Sequence, residues 1–133
     1  MSVTWAATAL ESGWFSAVER CSSVGELADH FKRLRSRGQG HLEVRLPGSE
    51  FPLLTLSFRG DQAVLHLFDH AERSFLLVGD GTVAADAVVE VPGMDDLAAF
   101  SGDFALNVDR AWALVHTFIQ TGAPAELGEW CEL

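Results

Sequence analysis

Two histidines four residues apart, His66 and His70, have a spacing that could support metal chemistry. Asp69 precedes His70, and imidazole and carboxylate groups are common ligands of zinc. These residues fall where a strand pattern ends and a turn begins, however, and not along a helix that would aim both rings in the same direction. We therefore expect exposed or hydrogen-bonded histidines here, and we predict neither a metal nor a cofactor.

The adjacent carboxylates Asp95 and Asp96 are a second candidate for chemistry. Two carboxylates can act as general acid and general base when a cleft separates their pKa values. Asp96 can equally cap a short helical turn over residues 97–100. The sequence leaves both interpretations open and favours the cap.

Glycine turns and cysteines add no catalytic motif. The turns Gly38-Gln39-Gly40 and Gly79-Asp80-Gly81 lack the lysine and the helix start of a phosphate-binding loop. Cys21 and Cys131 form no CxxC pair, so we expect free thiols in a reducing compartment, although a disulfide between them stays open. We predict a protein that is not an enzyme.

Charge is distributed unevenly along the chain, whose net charge is −10. Residues 1–46 carry six basic and five acidic side chains, whereas residues 47–133 carry three arginines and fourteen carboxylates. Direct nucleic-acid binding needs clustered lysine and arginine, so we exclude it. Such an acidic region suits a cationic partner, and solubility alone is the alternative explanation.

Length and hydropathy indicate one folded domain over residues 1–133, with 48% hydrophobic and 21% charged residues. The apolar stretches are too short to span a bilayer, so we predict no membrane partner. The first residues lack the basic start and the apolar core of a signal peptide. We therefore expect a cytoplasmic protein, as a monomer or weak homodimer.

The first helix is predicted over about residues 24–37. Ser23 and Glu26 match a capping box, and apolar residues follow at helical spacing. Basic residues crowd the last turns, where the helix dipole favours them, and Gly38 can adopt the left-handed stop.

The middle of the chain predicts strands joined by short turns. The expected strands cover residues 3–10, 41–46, 53–58, 63–68, 73–78 and 83–91. An irregular stretch is expected between the first strand and about Cys21, and a short helical turn is expected over 94–100. Connections this short imply antiparallel pairing. In the strand 53–58, apolar residues alternate with Thr55 and Ser57, so one face of the strand is apolar and the other is polar. One face of the sheet should therefore be covered by helix.

A second helix begins at Asn107 or Val108 and ends at Gly122, because Pro124 prevents its continuation. The fold class is α+β, an antiparallel β-meander of about five strands packed against two main helices. Trp5, Trp14 and Trp112 are most simply core residues. Trp130 either docks as part of a last strand or flap, or serves as an interface anchor.

About two thirds of the chain, roughly residues 40–131, resembles immunity protein family 1 of bacterial polymorphic toxin systems. The resemblance rests on a glycine-bearing strand turn, an apolar helix and a closing signature. These features are Val78-Gly79-Asp80-Gly81, the helical segment 111–118, Thr121-Gly122, Pro124 and Trp130.

The resemblance implies a non-enzymatic inhibitor that binds a cognate toxin domain, of the deaminase or nuclease type, which acts on nucleic acid. Such enzymes hold phosphates, so their clefts tend to be basic, and an acidic surface could occlude them. The expected toxin-binding residues are Asp80, Asp95, Asp96, Glu126, Glu129 and Trp130. A small acidic adaptor or secretion chaperone for an effector protein is the alternative, and a small enzyme or ligand-binding module is a third class.

Overall fold

The computed structural model describes residues 2–70 and 72–133, and this part of the chain forms ten strands and two α-helices. The strands are β1 (Ser2–Thr8), β2 (Phe15–Ser23), β3 (Gln39–Arg45), β4 (Leu53–Arg59), β5 (Gln62–His70), β6 (Arg73–Leu77), β7 (Val88–Pro92), β8 (Leu97–Ser101), β9 (Leu106–Asn107) and β10 (Trp130–Glu132). The helices are α1 (Val24–Arg37) and α2 (Val108–Thr121), and short 3-10 turns cover Gly102–Phe104 and Pro124–Leu127.

Eight strands form one antiparallel sheet in the order β10-β6-β5-β4-β3-β1-β2, with β9 paired to β5. Strands β3 to β6 follow one another in sequence and in space, as the short turns predicted. The α+β class with two helices is confirmed. The sheet is larger than the predicted five strands, because two edge strands and the short β9 join the meander.

Local capping sets both ends of α1 as predicted. The Ser23 hydroxyl accepts a hydrogen bond from the Glu26 backbone N–H at 3.2 Å. Gly38 adopts a left-handed conformation with φ of 95°, and its N–H donates to the carbonyls of Leu34 and Arg35. Only glycine enters this region without strain, so the helix stops here.

Helix α2 is bounded in the same way. The Asn107 side chain accepts from the Asp109 N–H, and the N–H of the left-handed Gly122 donates to the Phe118 carbonyl. Pro124 then begins a 3-10 turn. This turn returns the chain to the sheet as β10, so Trp130 docks in a last strand, as one of the two interpretations predicted.

The helices cover one face of the sheet, as expected. Phe31 of α1 stacks on Trp112 of α2 with ring centroids 4.3 Å apart, and it meets Phe58 of β4 edge-on at 5.5 Å. The sheet contributes apolar residues that are fully or almost fully buried on this face, among them Leu42, Leu54, Leu56, Leu65 and Leu77.

The opposite face is covered by a separate two-stranded sheet, the hairpin β7–β8. Val89 and Val91 of β7 pack with Val64 and Leu76 of the main sheet in a second apolar cluster. The sequence did not predict this second layer. As a result Thr55 and Ser57, on the more polar face, are also buried.

Strand β2 occupies residues for which the sequence predicted an irregular stretch. It pairs with β1 but has no further neighbour, so most of its side chains are exposed and apolar alternation is absent. The pairing is irregular: Trp5 pairs with Arg20, and Ala7 pairs with Ser16. Between these two pairs β1 advances by two residues and β2 by four, so β2 contains a bulge. This bulge bends the edge of the sheet.

Two predictions around the hairpin are wrong. Residues 94–100 form no helical turn: Pro92 pairs with Leu97, and the chain continues as β8. The preceding strand begins at Val88, not at Val83, because residues 84–87 turn around Gly102, whose N–H donates to the Ala87 carbonyl. A short apolar run such as 97–100 fits a helix or a strand equally well, and its pairing decides between them.

Candidate functional site

Residues 78–104, which comprise the hairpin β7–β8 and its flanking loops, form a surface layer that we call the acidic cap. The cap contains no lysine or arginine. All six of its carboxylate residues are exposed: Asp80, Asp86, Glu90, Asp95, Asp96 and Asp103. None of the six forms an ion pair within residues 2–70 and 72–133.

Carboxylates elsewhere are often paired with arginine. Arg45 binds Glu19 through two hydrogen bonds of 2.7 and 2.9 Å, and Arg35 lies 3.2 Å from Asp61. These contacts neutralise part of the negative charge outside the cap. The unpaired negative charge of the cap therefore covers the sheet face opposite the helices. The uneven distribution of charge along the sequence indicated an acidic second part of the chain, but not which face of the sheet carries it.

A groove of about 210 Å³ lies between the β1–β2 turn and the β7–β8 turn. Trp14, Met94 and Leu97 contribute to its lining and are 68%, 54% and 44% exposed. The prediction that Trp14 is a core residue is therefore wrong. Its position on a tight turn, after Ser12-Gly13, was the sequence signal for exposure.

Asp95 and Asp96 also line this groove. The Asp96 side chain accepts a hydrogen bond from the Leu97 N–H at 2.8 Å, and its carbonyl accepts from the Gly93 N–H. Asp96 thus stabilises a hairpin turn and not the helical turn that we expected. Both carboxylates are exposed on this turn, so they lack the enclosed cleft that paired acid and base catalysis requires.

Asp80 is held in a network of hydrogen bonds. Its carboxylate accepts from the Thr82 hydroxyl and N–H and from the Asn107 N–H, at 2.6 to 3.1 Å. Burial acts to raise the pKa of Asp80, but these hydrogen bonds together lower it. Asp80 joins the cap to the start of α2, which is a structural role in addition to the binding role predicted for it.

The other predicted site residues lie towards the opposite edge of the sheet. Glu126 and Glu129 are exposed, and the Glu129 carbonyl accepts from the Val78 N–H. Trp130 is partly buried against the core and donates its indole N–H to the Pro124 carbonyl at 2.9 Å. The fold therefore brings Asp95 and Asp96 together with Trp14, but not with Trp130.

The histidine pair gives no metal site. His66 lies within β5, and His70, at its end, accepts a hydrogen bond from the Glu72 N–H through Nδ1. In the described ranges, no group of three or more potential ligands is placed to hold a metal ion. The cysteines are free and exposed on β2 and β10, at opposite edges of the sheet.

Beneath the hairpin lies a buried polar cluster that sequence reasoning missed. His41 Nδ1 lies 2.6 Å from the Ser57 hydroxyl, and His41 Nε2 lies 3.6 Å from the Glu43 carboxylate. Ser57 is almost fully buried in mid-strand, with β3 and β5 paired on either side, whereas the serine of a hydrolase triad must be exposed to its substrate. The cluster instead lines a cavity of about 160 Å³ with Phe100 of the hairpin.

His66 at the edge of this cluster predicts a pH-dependent stability. Burial lowers the pKa of His66 from the ordinary 6.5, and the neighbouring His41 lowers it further. Between the folded value and 6.5 the unfolded chain binds more protons, so stability should fall as the pH drops below about 6.5, by at most about 1.4 kcal/mol per pH unit for one proton. Urea unfolding at several pH values measures this slope.

The matched variants are His66→Gln and His70→Gln. The first should reduce the pH dependence between pH 5 and 7, whereas the second removes a histidine from the exposed end of the same strand and should leave this contribution in place. Equal slopes for the native protein and His66→Gln would contradict the assignment.

No helix in the described part of the chain is long and apolar enough to cross a membrane.

No protein-family model matches the chain, and no curated protein matches it. The resemblance to immunity protein family 1 therefore stays a prediction that rests on its motif residues.

Proposed function

We propose that this protein is an immunity protein that binds a cognate toxin domain and neutralises it by covering a basic active-site cleft. The observation that carries the proposal is the acidic cap, a surface layer with six exposed carboxylates and no basic residue. A domain that acts on nucleic acid must attract phosphates, so its cleft presents the complementary charge.

The architecture of the cap supports binding without chemistry. Three of its carboxylates, Glu90, Asp95 and Asp96, lie on the hairpin, which packs on the main sheet through Val89 and Val91. A surface held in place loses little conformational entropy on association, and its unpaired charges can steer a cationic domain during encounter. The proposed mechanism is occlusion: the cap occupies the position of the nucleic-acid backbone and excludes the substrate.

The test starts from a neighbouring gene that encodes a compact basic domain: this domain is co-expressed with the protein, and the affinity between the two purified proteins is then measured. We expect protection of the cells, and association that slows as salt is raised. The charge-reversed cap variant Asp86→Lys/Glu90→Lys should weaken binding at low salt at least tenfold, which corresponds to about 1.4 kcal/mol.

The matched control is Glu50→Lys/Glu72→Lys, which changes two exposed carboxylates outside the cap and raises the net charge by the same four units, from −10 to −6. The control should retain affinity within about threefold. An equal loss of affinity in both variants would mean that overall charge, and not the cap, determines binding. Cells that are not protected on co-expression would argue against the proposed immunity function. A dimer that binds an unfolded effector segment would favour the adaptor alternative.

A further inference from the structure

We infer that the groove between the β1–β2 turn and the β7–β8 turn is the docking site for a protein segment that carries arginine or lysine beside an apolar side chain. The inference deepens the proposed function and rests on it for the choice of a cationic protein partner. It assigns the anchor of the interface to Trp14, a residue outside the acidic cap.

The shape and composition of the groove indicate a protein segment. Trp14 stands on one wall and Met94 and Leu97 stand on the other, and all three side chains are more than two-fifths exposed. Large apolar side chains so close together mark interaction surfaces, and an exposed tryptophan is a frequent binding hot spot. Phe15 also lines the groove and packs edge-on against the buried His41 at 5.1 Å, which supports this part of the groove from beneath.

The charge at the groove selects a cation. Asp95 and Asp96 lie on the wall formed by the hairpin, and neither has an ion pair with a described residue. Arg37 approaches from the side of the β1–β2 turn: its Nη2 lies 3.2 Å from the position that a Cβ on Gly13 would occupy. Arg37 forms no ion pair with Asp95 or Asp96, so both carboxylates stay available to a partner.

One side chain can satisfy both features of the groove. Lysine and arginine have an apolar stem and a charged head, so the stem can lie on Met94 while the head meets the two carboxylates. The face of Trp14 adds a cation–π contact to the charged head. An apolar neighbour in the partner segment would cover Leu97.

The experiment uses a ten-residue amidated peptide of alternating arginine and leucine as the probe, added to the ¹⁵N-labelled full-length protein. NMR should show shifts of the Trp14 indole N–H and of the amides of residues 93–97. The same peptide with glutamate in place of arginine should not bind, and one with glycine in place of leucine should bind at least threefold more weakly.

The variants locate the site. Trp14→Ala and Asp95→Asn/Asp96→Asn should each weaken binding of the arginine–leucine peptide at least fivefold. The controls Val18→Ala and Glu50→Gln/Glu72→Gln remove an exposed apolar residue and two exposed carboxylates that lie outside both the groove and the acidic cap, and they should change affinity less than twofold.

Several results would overturn the assignment: shifts centred elsewhere, an equal loss of affinity in Glu50→Gln/Glu72→Gln, or binding of the glutamate peptide. Shifts of the same residues that grow with protein concentration before peptide is added would assign the groove to a second copy of the chain. Peptide binding at the groove without cell protection would count against the proposed immunity function and would leave the docking site intact.

Discussion

Replacing Gly102 with alanine is expected to lower the free energy of unfolding by about 3 kcal/mol or more. A Cβ at this position would collide with the carbonyl oxygen and carbon of Ala84 and with a methyl group of Val83. Backbone atoms cannot rotate away as a flexible side chain can. The Gly102 N–H is also tied to the Ala87 carbonyl, so the collision can be relieved only by displacing the cap.

Urea unfolding of Gly102→Ala measures this loss, and Gly25→Ala is the matched control. At Gly25 the nearest atom to a new Cβ is the Ser23 hydroxyl oxygen at 3.7 Å, an ordinary contact, and alanine is the better helix former. We expect Gly25→Ala to be neutral or slightly stabilising. A loss below about 1 kcal/mol in Gly102→Ala would show that the loop of residues 83–87 moves without cost.

Phe58→Ala is expected to destabilise the protein by about 3–5 kcal/mol, the range for truncating a buried phenylalanine. Phe58 is fully buried and contacts Phe31, which in turn stacks on Trp112. The side chain therefore connects the sheet to both helices. Its removal leaves a cavity at the point where these three elements meet.

Thermal and urea unfolding of Phe58→Ala are compared with Phe58→Leu and with Val18→Ala. Leucine keeps most of the apolar volume, so Phe58→Leu should lose less than half as much stability. Val18 is exposed on β2, and its truncation should change stability by no more than about 0.5 kcal/mol. Similar losses in Phe58→Ala and Phe58→Leu would argue against a cavity as the cause.

The elements that were predicted correctly are those with local signals. Ser23 and Gly38 mark the ends of α1 through hydrogen bonds within a few residues, so the predicted bounds 24–37 match the structure. Gly60, with φ of 61°, forms the β4–β5 turn, where Arg59 pairs with Gln62, and the sequence predicted a short turn between the strands 53–58 and 63–68. Such features depend on neighbours in sequence, and a single sequence contains them.

The elements that were missed depend on partners distant in sequence. Strand β2 has a neighbour on one side alone, so burial imposes no apolar alternation on it. Residues 97–100 form a strand because they pair with β7, and the intrinsic helix or strand propensity of these residues does not determine that pairing. The groove was missed for the same reason, since Trp14 and Met94 meet through the packing of two turns.

The backbone pairing of the β7–β8 hairpin has a consequence for how this protein can diverge. Among the described residues, strands β7 and β8 form backbone pairs only with each other, and the strands of the main sheet pair among themselves. Outward-facing substitutions such as those at Glu90 can therefore accumulate without altering the register of the scaffold. For the proposed immunity function, substitutions confined to this hairpin would change which toxin domain is bound, while the main sheet and the helices stay the same.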